Sequence, residues 1–164
     1  MSRDIFIGGN WKSNGTRASV AELVQTLNKC KVPAGVDVVI APTAIHAGLV
    51  LSTLSLETGM KVSAQNVAYT GKAKGAFTGE HTASMVKDFG IDYTLVGHSE
   101  RRHQNSGTED VQETSEVIAK KARYALDAGL HVIVCVGELL EEREAGKTME
   151  VIVSQLEVSL WSTR

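Results

Sequence analysis

The feature that most constrains this chain is an alternation, repeated five times, of a short apolar stretch with a longer amphipathic one. Ile5–Lys12, Val36–Ala41, Lys61–Ala64, Tyr93–Val96 and His131–Val136 read as strands. Between and after them, Ser19–Lys29, Ala47–Leu56, Thr82–Phe89, Glu109–Ala128 and Thr148–Leu160 carry helical spacing. Within Ser19–Lys29 the stripe is Val20, Leu23, Val24 and Leu27, and Gly129 punctuates the end of the fourth helix. Strands alternating with helices predict an α/β fold with a parallel sheet, and strands apolar on both faces suit a sheet covered by helices. A doubly wound open sheet and a closed barrel both satisfy this pattern. Polar residues follow the first strand (Asn10, Lys12), the third (Gln65, Asn66), the fourth (His98, Glu100) and the fifth (Glu138). Groups gathered from several strand ends favour the barrel, in which all such ends share one face. One long stretch, Gln65–Glu80, has neither period and reads as a loop.

A chain of 164 residues with 43% hydrophobic and 22% charged residues predicts one folded domain over residues 1–164 and argues against disorder. The formal net charge of -2 comes without a basic stripe, so no nucleic-acid partner is expected. No apolar run approaches the length of a membrane span, and the opening MSRDIF has no apolar signal region. Cys30 and Cys135 have no paired spacing, which with the foregoing predicts a reduced, cytoplasmic setting. The absence of G-x-G-x-x-G and P-loop patterns argues against nucleotide binding, and no two histidines have metal-ligand spacing, so neither cofactor nor metal is expected.

The chemistry concentrates after the fourth strand, where Tyr93–Val96 meets Gly97 and then His98, Ser99, Glu100, Arg101 and Arg102. His98 stands at the start of a helix-like segment, where a positive helix end would favour a neutral imidazole able to donate a proton; the competing reading is a satisfied core histidine. Glu100 is expected either to bond Lys12 or to pair with Arg101 or Arg102, the second being commoner. Lys12 could hold a phosphate or a developing oxyanion, or snorkel at a strand end. Asn10, two residues earlier on the same strand side, could offer an amide N–H to an oxyanion or serve a turn. His46, His81, His103 and His131 lack supporting neighbours in sequence. Cys135 reads as a small buried hydrophobe and Glu141–Glu144 as a solvated helix face.

At these residues a resemblance appears. GGNWKSNG at Gly8–Gly15, APT at Ala41–Thr43, AQN at Ala64–Asn66, GAFTGE at Gly75–Glu80, GHSERR at Gly97–Arg102, CVGE at Cys135–Glu138 and REAG at Arg143–Gly146 resemble the triosephosphate isomerase family, in the family's order and over nearly the whole chain. The resemblance implies a parallel (β/α)8 TIM barrel, of which these residues supply βα units 1–5, an incomplete barrel. It implies a homodimer that interconverts dihydroxyacetone phosphate and D-glyceraldehyde 3-phosphate in glycolysis and gluconeogenesis. By position, Asn10 and Lys12 match the substrate-binding pair, His98 the electrophile that polarises the carbonyl, and Glu100 the acidic residue beside Lys12. Phe77, Thr78 and Gly79 match the loop tip that enters the partner subunit, and Cys135 a cysteine behind the site. Two departures stand out. The segment after Arg102 looks longer than the family pattern, with Glu109 a candidate for its usual acidic residue. The chain stops at Leu160–Arg164, and the family's base glutamate, lid and later glycine-rich loops have no counterpart in it. Five units cannot close an eight-stranded barrel. Two expectations follow: part of an isomerase with little activity on its own, or a non-catalytic truncated barrel that self-associates through its exposed edges.

Overall fold

A computed structural model of the chain describes residues 5–70, 75–103 and 112–161. Five strands form one sheet: β1 (Ile5–Asn10), β2 (Val36–Ala41), β3 (Lys61–Ala64), β4 (Tyr93–Val96) and β5 (His131–Val134). Their spatial order is their sequence order, and every pairing is parallel. A doubly wound sheet reverses direction at a switch point, and this one never does. The sheet is five consecutive βα units of an incomplete (β/α)8 barrel.

The helices are α1 (Arg17–Leu27), α2 (Ala44–Thr53), α3 (Ala83–Asp88), α4 (Ser99–Arg102), α5 (Ser115–Asp127), α6 (Leu140–Glu144) and α7 (Thr148–Trp161). Capping hydroxyls set several starts. Thr16, Thr82 and Thr114 each accept the N–H three residues on and satisfy a donor that the first helical turn leaves unpaired. Two sequence expectations about helix starts are corrected. The second helix begins three residues earlier than the apolar stretch suggests, with Thr43 as its extended first flank after Pro42, and ends at Thr53. The fourth long helix starts at Ser115 rather than Glu109, because Thr114 caps it; Glu109 itself lies outside the described residues, as do 71–74 of the long loop and 162–164 at the chain's end.

The core lies between the sheet and its helices. Val20 and Val24 of α1, Val50 of α2, Val86 of α3 and Ile118, Ala122 and Ala125 of α5 meet Ile40, Val62 and Val96 of the strands. β1 departs from the expectation of strands covered on both faces. All six of its residues are exposed, with Ile5 at 60% and Ile7 at 54%. No β1 residue joins the buried core cluster, so its side-chain faces go uncovered; in addition, among the described residues β1 pairs only with β2 and β5 only with β4, so both strands are sheet edges. No helix among the described residues is long and apolar enough to cross a membrane.

Candidate active site

The carboxyl ends of β1 and β4 meet. β1 stops at Asn10, and the Asn10 side-chain Oδ1 accepts the Lys12 N–H at 2.8 Å, closing a tight turn. Lys12 takes a left-handed conformation, φ 53°, unusual for a residue with a side chain. The expectation that Asn10 and Lys12 share a strand face is therefore corrected: alternation holds only in extended backbone, and Lys12 is presented by the turn. Gln65, after β3, donates from Nε2 to the carbonyls of Lys12 and Ala41, both at 2.9 Å, and so holds that turn against the ends of β2 and β3.

Lys12 Nζ then reaches Glu100 Oε1 at 3.0 Å, across 88 residues of sequence. The commoner sequence expectation, a pair between Glu100 and a neighbouring arginine, gives way because both arginines are engaged elsewhere. Arg101 turns to Glu113, and Arg102 turns inward onto backbone carbonyls. About half of the Lys12 and Glu100 side-chain surface faces water, so the pair itself adds little to stability.

His98 is the N-cap of α4, with its Nδ1 accepting the Glu100 N–H at 3.3 Å. In the neutral ring, an Nδ1 lone pair spent on a backbone N–H leaves the proton on Nε2. Its ring is largely sheltered, 21% exposed, and Glu100 Oε2 approaches Nδ1 at 3.4 Å. Lys12, His98 and Glu100 thus form one cluster with Asn10 at its base, a cation, a ring N–H and an amide from two strand ends.

Behind the cluster is a second set of charges that sequence spacing did not expose. Glu113, fully buried at its side chain, accepts Lys121 Nζ at 2.6 Å and Arg101 Nη2 at 2.7 Å on Oε1. Its N–H also donates to the Arg101 carbonyl at 2.8 Å. Lys121 further donates to Asn66 Oδ1 at 3.2 Å. Burial pulls the Lys121 ammonium below its usual range, against the opposing pull of the Glu113 carboxylate.

A family model described as triosephosphate isomerase matches residues 5–164. The chain belongs to the triosephosphate isomerase family. Among curated relatives, the triosephosphate isomerases of Debaryomyces hansenii and Candida albicans are 46% and 44% identical over 99% of this chain and 64% of their own length. The chloroplastic triosephosphate isomerase of Arabidopsis thaliana is 48% identical over 94% of this chain and 46% of its own length. The chain thus spans about two thirds or less of the relatives it matches.

Other triosephosphate isomerase motifs prove structural in this chain. Glu138 of CVGE accepts Arg143 of REAG at 2.7 Å and Thr148 at 3.2 Å. Its own backbone N–H and Arg143 hold that carboxylate below the usual range. Cys135 lies half-buried after β5, and burial pushes its thiol up, as expected of a packed rather than reactive cysteine. α6 has no buried residue, in keeping with a solvated Glu141–Glu144. His46 and His131 are corrected from isolated to partnered: His46 Nδ1 lies 2.9 Å from Thr43 Oγ1, and His131 stacks on Tyr93 at 4.7 Å between ring centroids. Phe77 sits 54% exposed with φ 79° at its loop tip.

Proposed function

We propose that the cluster at the ends of β1 and β4 binds triose phosphate and serves the interconversion of dihydroxyacetone phosphate and D-glyceraldehyde 3-phosphate. The observation that carries this reading is the 3.0 Å approach of Lys12 to Glu100 beside the capped His98. Lys12 attracts the phosphodianion and the negative charge that grows on the substrate oxygens. His98 donates its Nε2 proton to the carbonyl oxygen, polarising it, and moves protons between the two enediolate oxygens. Asn10, whose Oδ1 is spent on the Lys12 N–H, keeps its amide N–H groups for the substrate. Glu100 sets the position of Lys12. The base that takes the carbon-bound proton is not among the groups gathered at these strand ends, so these residues supply the binding and electrophilic side of the reaction. No cofactor takes part. We further propose that residues 1–164 form one folding unit, that the setting is cytoplasmic, and that the chain pairs with a second copy through Phe77, Thr78 and Gly79.

Titration of the isotope-labelled chain with dihydroxyacetone phosphate tests the site. Resonances of Lys12 and His98 are expected to move, and Lys12→Ala is expected to weaken binding by tenfold or more, about 1.4 kcal/mol. Unchanged affinity in Lys12→Ala removes Lys12 from the site.

A second reading is favoured by the exposed apolar β1: a non-catalytic barrel fragment that self-associates through sheet edges. It requires concentration-dependent oligomers that persist in Thr78→Arg. Oligomers abolished by Thr78→Arg assign assembly to the loop, and a monomer at every concentration discards both modes.

A further inference from the structure

We infer that Arg102 is a positioning residue that fixes the ring of His98 in its Nε2–H form; this rests on the role proposed for His98. The Arg102 guanidinium is buried, 6% exposed, and its hydrogen bonds among the described residues all run to neutral oxygens. Nε donates to the Gly97 carbonyl at 2.7 Å, Nη2 to the Cys135 carbonyl at 3.0 Å and Nη1 to Ser115 Oγ at 3.3 Å. A full charge held away from water, hydrogen-bonded to two carbonyls and a hydroxyl and opposed in sign by the Glu113 carboxylate only through space, is a costly way to join three segments. What an apolar residue cannot supply is the planar fork that meets the end of β4, the end of β5 and the start of α5 at once.

The consequence falls on His98. The Gly97 carbonyl belongs to the peptide that leads into His98, and Arg102 pins it from the side chain. The carbonyl of His98 itself accepts the backbone N–H groups of Arg101 at 2.7 Å and Arg102 at 3.1 Å. Both peptides flanking His98 are therefore held by the same short turn, and that turn is anchored through Arg102 to β5 and α5. With its flanks fixed, the ring presents Nδ1 to the Glu100 N–H, and the proton stays on Nε2. Gly97 fits the same arrangement: it adopts φ 73°, and a Cβ there would stand 2.8 Å from Arg102 Nη2.

The test is nuclear magnetic resonance of the 15N-labelled chain, read at the His98 ring nitrogens and at amide exchange. In the unaltered chain Nδ1 is expected to carry no proton. Arg102→Lys keeps the charge and loses the fork. It is expected to move the Nδ1 resonance toward its protonated value and to speed exchange of the Glu100 amide about tenfold or more, while the Val86 amide in α3 is unaffected. A folded Arg102→Lys chain with unchanged His98 nitrogens overturns the inference, as does an equal rise at every amide. If that variant does not fold, exchange is followed in the unaltered chain against denaturant. The Arg102 Nε–H and the Glu100 N–H are then expected to open in one step with one slope; a protected Glu100 amide beside a freely exchanging Arg102 Nε–H overturns it. None of these readings involves turnover, so a failed isomerase assay and a failed positioning role remain separable.

Discussion

Replacing Glu113 by glutamine keeps the shape of a buried side chain and removes its charge. Two cations are left behind, Lys121 at 3% side-chain exposure and Arg101 at 30%. Gln keeps a carbonyl oxygen at the Oε1 position, so both donors still find an acceptor, now neutral, and charged hydrogen bonds are roughly twice as strong as neutral ones. The new amide N–H₂ falls where Oε2 sits, an atom with no hydrogen-bond partner among the described residues, and a buried unpaired donor costs about 1–3 kcal/mol. Together these place Glu113→Gln in the range of about 3–5 kcal/mol found when one member of a buried ion pair is removed. For a chain of this size that lowers Tm by roughly 10 °C. The loss also depends on pH in a defined direction. Lys121 is already pulled below its unfolded value, and losing the carboxylate pulls it further. Between its folded and unfolded values the unfolded state binds more protons, so stability rises with pH there. The deficit of Glu113→Gln is therefore full below the lowered Lys121 value and shrinks as pH rises through it toward the unfolded value. Urea unfolding followed by circular dichroism at neutral and alkaline pH measures both. A deficit within about 0.5 kcal/mol at neutral pH refutes the reasoning, since that is the scale of an ordinary surface change. So does a deficit that grows with pH.

Other substitutions follow from the same geometry. Ile118→Ala opens a cavity at a fully buried position in α5 and is expected to cost about 2–5 kcal/mol by denaturant unfolding. Gly97→Ala meets both a left-handed φ and three atoms within 3.1 Å, so it should destabilise by more than the roughly 1 kcal/mol of Gly-to-Ala strain alone. Thr82→Ala removes the cap of α3 and should cost about 1 kcal/mol, recovered largely by Thr82→Ser. Lys12→Ala should leave the urea midpoint nearly unchanged, because its ion pair is half exposed, while weakening triose phosphate binding.

The strands were legible because each is a short apolar run between breakers, and Val36–Ala41, Lys61–Ala64 and Tyr93–Val96 fall where the residues place them. Helix starts were less legible where the first apolar residue does not set the boundary: at Thr114 a hydroxyl cap sets it, and at Thr43 the extended residue after Pro42 does, without a side-chain cap. Asn10, Lys12, His98 and Glu100 could be picked out because polar groups at strand ends have few structural uses. Their geometry could not: the Lys12 turn depends on a local Asn10 side-chain bond that strand alternation does not anticipate, and on Gln65 reaching two carbonyls far away in sequence. Glu113, Lys121 and Arg102 were missed for the same reason. Charged residues in a helical stretch read as solvated, and only tertiary packing buries them. The one available signal was Lys121, which falls on the stripe with Ile118, Ala122 and Ala125 and so on the apolar face of α5.

Lys12 and His98 are proposed to supply the binding and electrophilic half of an isomerase. The decisive experiment is a coupled assay for conversion of glyceraldehyde 3-phosphate, run on the chain alone and on the chain mixed with the part of the Debaryomyces hansenii relative outside the 64% that it matches. Little turnover is expected from the chain alone. The mixture is expected to turn over, and to lose about a hundredfold or more in kcat when the chain carries Lys12→Ala or His98→Gln. Equal turnover with and without those substitutions would contradict the account, as would robust turnover by the chain alone, which would require a base among groups now assigned to ion pairs, Glu100 or Glu138.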